Sequence, residues 1–196
     1  MPAKAIEQTA PTKNQTAIFV LLFSVAFSWA VFSALGEPEV NFARAVRLIW
    51  MSLLFGTVSL TLFIWATGRF ELGNYWRMAW TASFLLYFAH FLYGFFVVHE
   101  GSLRSIYLHQ GAIIASFNLL LTAVWGLDVA NAWWCVTRPT LYFRLVVHVV
   151  IFLGFAISTL VFGSPMARAL GGFMLSVLVG TLIVRLATSS RSADLK

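Results

Sequence analysis

The stretch AIFVLLFSVAFSWAVFSAL, Ala17–Leu35, decides the fold class. It runs for 19 residues without a charged side chain, close to the roughly 20 that carry a helix across a bilayer's hydrocarbon core. Five further apolar runs follow, Ala45–Ala66, Met78–Val98, Ile106–Leu127, Leu145–Phe162 and Met166–Val184. Backbone N–H and C=O groups in lipid must bond within their own segment, which excludes open strands. The expected fold is all-α, a bundle of about six transmembrane helices. It forms one domain over residues 17–187, with polar tails at 1–16 and 188–196.

Composition points the same way. Of 196 residues, 60% are hydrophobic, 16% aromatic and 10% charged, and the mean hydropathy is +0.86. A soluble domain is about a quarter charged. Seven acidic and 13 basic side chains cannot clothe a soluble globule of this size. A soluble enzyme, a disordered chain and a disulfide scaffold are therefore excluded. Cys135 is the sole cysteine, so no intrachain disulfide and no Cys-based metal site can form. The net charge of +6 fits cytoplasmic loops and lipid headgroups. With no basic run, Gly-rich phosphate loop or RNP-type motif, no nucleic-acid partner is expected.

Ala34-Leu35-Gly36 loosely resembles a signal-cleavage site. The run before it exceeds the usual apolar region of a signal peptide, so a retained helix is expected. With the N-terminus inside, the cytoplasmic segments hold Lys4, Lys13, Arg69, Arg77, Arg138, Arg144, Arg185, Arg191 and Lys196. The outer segments hold Arg44, Arg47, Arg104 and Arg168. That asymmetry places both termini in the cytoplasm, in a bacterial-type inner membrane. Trp65, Trp76, Trp80, Trp133 and Trp134 fall near the expected inner boundary, where indoles favour the headgroup layer.

Several runs carry small or polar residues on one face. These are Ala26, Ala30 and Ala34; Ser52, Gly56 and Ser59; and Ser83, Tyr87, His90 and Gly94. Gly111, Ala115, Asn118 and Thr122 continue the pattern, as do Gly172, Ser176 and Gly180. Small residues four apart let helices approach closely, and hydroxyl or amide groups bond across the contact. Mid-helix His90 needs a partner, for which Tyr87, Asn118 or a backbone carbonyl are candidates. Asp128 and Arg144 are placed near helix ends, in or beside an interfacial stretch over residues 126–144. Helix interiors thus appear nearly free of charge, which argues against a pump or coupled transporter.

Imidazole is the side chain here best suited to iron or another transition metal. A membrane b-type haem takes two, from neighbouring helices at similar depth. At 1.5 Å per residue, His90 lies about 12 Å below the outer edge and about 18 Å from the inner one. His109 lies about 4 Å below the outer edge and His148 about 5 Å from the inner one. On these boundaries His90 with His109 matches in depth better than His90 with His148. His99, Glu100 and His109 form a second candidate metal group at the outer surface.

The stretch Tyr75–Phe96, YWRMAWTASFLLYFAHFLYGFF, resembles a helix of ferric-reductase-like transmembrane haem proteins of the methionine sulfoxide reductase haem-subunit type. The resemblance rests on Arg77, the aromatic run, His90 and Tyr93. It implies a b-type haem protein passing electrons to a membrane or outer-face redox partner. His90 would then be an axial ligand, with His109 or His148 opposite. An alternative expectation is a non-catalytic membrane subunit or assembly factor that docks a protein partner through its small-residue faces. A further one is a small-molecule permease. No nucleophile constellation for a hydrolase is present.

Overall fold

The computed structural model describes residues 10–66, 73–134, 138–161 and 163–193. Among them are seven α-helices and no strand. Helix α1 spans Lys13–Phe32 and passes through a 3-10 turn, Ser33–Gly36, into α2, Val40–Ala66. Helix α3, Asn74–Tyr93, continues as a π turn through Val98. A short α4, Leu103–Gln110, precedes α5, Ala112–Trp134. Helix α6, Arg138–Ala156, ends in a second π turn, Ile157–Val161, and α7 runs from Pro165 to Ala193. Six of these helical stretches are long and apolar enough to cross a membrane, as expected of a multi-pass membrane protein.

Two boundaries differ from the sequence reading in ways that matter. The run expected as one helix from Ile106 to Leu127 is broken at Gly111, whose φ of 80° and ψ of 155° suit glycine alone. Gly111 therefore ends α4 and contributes nothing to a face shared with Asn118. Helix α5 instead runs on to Trp134, and α6 starts seven residues before the expected Leu145, at Arg138. The stretch read as interfacial is mostly helical, which moves Asp128 and Arg144 into helix interiors.

At the other end of the chain, Thr12 caps α1 by accepting from Gln15 N–H while the Gln15 side chain accepts from Thr12 N–H. Helix α7 continues into the polar C-terminal stretch as far as Ala193.

Helices α2 and α3 are the central pair. Helix α1 packs on both, α7 lies along α2, α5 lies along α3, and α6 sits against α5. Lipid tails are as apolar as leucine, so burying apolar surface adds little between membrane helices; close packing and hydrogen bonds must hold them. The α2–α3 seam shows both. Ser52 Oγ donates to Ser83 O at 2.7 Å, and Ser83 Oγ donates back to Ser52 O at 2.7 Å. One turn on, a Cβ at Gly56 would sit 3.0 Å from Ser83 Oγ and 3.4 Å from Phe155.

One of the five small-residue stripes points fully inward and a second mostly so, its Ala26 being half-buried. Ser52, Gly56 and Ser59 are buried, as are Ala30 and Ala34. Helix α7 turns its other side to the bundle: Gly171, Met174 and Leu178 are buried, whereas Ser176 is exposed. Gly171 sets the α6–α7 spacing, because a Cβ there would lie 2.2 Å from Thr159 Oγ1 and 2.8 Å from Thr159 Cβ.

Candidate functional site

The core is aromatic and polar at once. Leu53, Phe63, Trp76, Trp80, Trp125, Val147, Ile151 and Met174 belong to one buried cluster. Trp76 and Trp80, read as interfacial, are instead interior residues at 2% and 0% exposure. They sit one turn apart on α3 and face α6. The His148 ring lies between Phe63 and Trp80, each stacked at 4.0 Å. His148 Nδ1–H donates to Arg144 O at 2.7 Å, the carbonyl one turn earlier on α6. Its Nε2 therefore carries the lone pair and accepts from Trp76 Nε1–H at 3.2 Å. Both nitrogens and both faces of this imidazole are engaged.

Beside it lies an ion pair in the bundle interior. Asp128 on α5 is fully buried, and Arg144 on α6 is 2% exposed. Arg144 Nε approaches Asp128 Oδ1 at 3.4 Å, and Trp80 Nε1–H donates to Asp128 Oδ2 at 2.8 Å. The Arg144 guanidinium also lies over the Trp76 ring, 4.7 Å from its centre. Its Nη2 is buried with no hydrogen-bond partner. Arg77, also buried, lies over the Trp133 ring at 5.0 Å, and Trp133 Nε1–H donates to Thr81 Oγ1 at 2.9 Å. One network thus ties α3, α5 and α6 together. The expectation of nearly charge-free helix interiors is corrected by it. Charges at this depth are costly unless paired, and here the partners come from three different helices.

Mid-helix His90 bonds to a backbone carbonyl, one of the partners anticipated. Its Nδ1–H donates to Ala45 O on α2 at 2.8 Å. The Tyr93 hydroxyl donates to Asn41 Oδ1 and accepts from Arg44, whose Nε reaches Val31 O at 3.2 Å. His109 lies exposed on α4, across the Gly111 break from α5, and its ring faces His99 with centres 5.4 Å apart.

His90 and His148, two of the three histidines read as haem ligands, lie at different levels of the bundle. His148 stacks on Trp80, and positions 80 and 90 of α3 are about 15 Å apart along the axis. Ligands on opposite faces of one iron need nitrogens within about 4 Å, twice a metal–imidazole bond of about 2 Å. The longer α6 sets His148 well inside its helix, yet its ring sits at the level of Trp76–Trp80, so the depth mismatch with His90 stands. Its edge is occupied by Trp76 and its faces by Phe63 and Trp80. His90 and His148 therefore do not fit the two sides of one haem.

Helix α7 presents a different kind of surface. A Cβ built at Gly172 or at Gly180 meets no atom within 4 Å, and Ser176 between them is exposed. Ser176 Oγ donates to Gly172 O at 2.8 Å, so the stripe satisfies its own hydroxyl. Exposed Phe173, Leu175, Val179 and Ile183 stand along it. The outcome is a shallow, self-satisfied groove on the lipid-facing side.

The sequence reading missed the Asp128–Arg144–Trp80 network. A signal for it was present, since Arg144 shares the helical period of Val147, His148, Ile151 and Phe155, all buried. Extending that period four residues upstream places Arg144 inside α6. No family model, no curated protein and no solved structure matches the chain.

Proposed function

We propose that the protein is a non-catalytic membrane subunit that docks a transmembrane helix of a partner protein on the outer face of α7. The carrying observation is the Gly172–Ser176–Gly180 stripe, where a Cβ at either half-buried glycine meets no atom of its own chain within 4 Å and Ser176 is exposed. Small residues at i, i+4 and i+8 of a membrane helix allow a second backbone to approach closely enough for van der Waals packing to drive association. The rest of the bundle supports a scaffold role. His148 Nε2 and both Asp128 carboxylate oxygens are engaged in helix-to-helix contacts, and the ion pair with its Trp80 bond fixes α3, α5 and α6 in register. The membrane is a bacterial-type inner membrane with both termini cytoplasmic. The Lys and Arg asymmetry supports this, and exposed Trp65 and Trp134 at the chain-end side remain suited to the headgroup layer.

Leucine substitution tests the reading. A Cβ at 172 or 180 meets no atom within 4 Å, so Gly172→Leu and Gly180→Leu are expected to leave the purified subunit's melting temperature within a few degrees of wild type. Both are expected to abolish co-purification of the partner that wild type retains from native membranes. Retention of every wild-type partner by the doubly substituted chain would overturn the proposal.

A further inference from the structure

We propose a transition-metal site formed by His99 and His109 at the rim of the bundle opposite the two chain ends. The chain bends sharply to build it. Glu100 and Gly101 both have positive φ, 51° and 73°, and Gly101 N–H donates back to Phe95 O at 2.8 Å. A positive φ at a non-glycine residue is uncommon and marks a backbone held by its surroundings. Ser102 then caps α4, accepting from Ser105 N–H at 3.2 Å. The break at Gly111 ends α4 after eight residues.

On α4, Ser105 and His109 lie one turn apart on one face, and the turn brings His99 over them. His109 Nδ1–H donates to Ser105 O at 2.8 Å, and His99 Nδ1 lies 3.1 Å from Ser105 Oγ. A metal-ligating histidine usually anchors one ring nitrogen as His109 does on this carbonyl, which leaves the other nitrogen's lone pair for the ion; His99 Nδ1 is held by the Ser105 hydroxyl instead. The ring centres are 5.4 Å apart and the planes inclined by 54°. With a metal–nitrogen bond of about 2.1 Å and about 1.1 Å more to the ring centre, two imidazoles on one ion at 5.4 Å subtend about 115°. That is near the tetrahedral angle.

His109 is exposed, so an ion arriving from water reaches the pair; among the described residues no third His, Cys, Asp or Glu joins them, and water completes the coordination. Two imidazoles favour Cu2+, Ni2+ or Zn2+ over Mg2+ or Ca2+, and Cu2+ is the tightest of the series. The site is independent of the docking face on α7.

The test uses the full chain, purified without a histidine tag and reconstituted in nanodiscs, with Cu2+ as the probe. Titration followed by calorimetry and electron paramagnetic resonance is expected to show one ion per chain with nitrogen hyperfine structure. His99→Gln and His109→Gln are each expected to weaken binding tenfold or more, consistent with loss of a direct ligand. Circular dichroism and thermal melts establish that the variants remain folded. Absence of stoichiometric binding at micromolar Cu2+, or unchanged binding by the folded double variant, would overturn the proposal.

Discussion

Adjacent glycines on α7 make opposite predictions. Alanine at 171 places its Cβ 2.2 Å from Thr159 Oγ1, 2.8 Å from Thr159 Cβ and 3.2 Å from Leu160 Cδ2. Carbon atoms pack best at about 3.5–4.0 Å, so α7 must move about 1 Å away from the α6 end. Thr159 cannot easily swing aside, because its hydroxyl donates to Phe155 O at 2.7 Å, back in the last turn of α6. Overpacking of this kind costs about 1–3 kcal/mol. Relief of glycine's backbone entropy returns about 0.5–1 kcal/mol. The net for Gly171→Ala spans about 0–2.5 kcal/mol of destabilisation, with its middle at about an eightfold change in the folded ratio.

Alanine at 172 meets nothing within 4 Å. The entropic gain stands alone there, and the isolated subunit should be stabilised by about 0.5–1 kcal/mol. Equilibrium unfolding in mixed micelles, followed by fluorescence of the buried tryptophans, measures both. Equal stability of the two variants, or a reversed order, would refute the assignment of the α7 faces on which the docking argument stands.

Other perturbations address the remaining parts of the fold. Asp128→Ala should cost about 3–5 kcal/mol, because Arg144 then stays buried without its counter-charge; a double variant with Arg144→Met should recover a large part, seen as positive coupling in a double-mutant cycle. Ser52→Ala and Ser83→Ala should each cost about 0.6–1.7 kcal/mol in the same assay, since each removes one interhelical bond. Gly111→Ala forces a side chain into a conformation that costs about 1–3 kcal/mol, so hydrogen exchange should speed up across 103–110 while α2 and α3 stay protected. His148→Phe should keep the aromatic stack but strand the Trp76 indole N–H, at a cost of about 1–3 kcal/mol in the unfolding assay.

How much the sequence discloses depends on what each residue's role requires. Apolar length alone identifies six crossings, because lipid imposes that length on any helix. The Ser52–Gly56–Ser59 face was legible because its period continues unbroken along α2. Gly111 was misassigned, since a glycine at helical spacing looks the same whether it packs or breaks; only its backbone angles decide. Asp128 and Arg144 fall just beyond the apolar runs that end at Leu127 and begin at Leu145, which hides that both are interior. In the structure each is neutralised by a partner on another helix, which no one-dimensional period reveals. The α7 stripe was read correctly as small but its direction was not recoverable, because Gly171 and Gly172 differ only in which neighbour each meets. His99 and His109 were grouped by chemistry, and the turn at Glu100–Gly101 explains how they meet.

The central claim is that the outer stripe of α7 is a protein-binding face. Its most direct test is a scan of single cysteines along positions 172–183 in a Cys135→Ser background, each carrying a short maleimide–diazirine cross-linker in native membranes. Adducts to one defined polypeptide should peak at 172, 176 and 180, fall away at 174 and 178, and disappear with leucine at the two remaining stripe positions. A flat profile, or adducts to lipid alone at every position, would contradict the account.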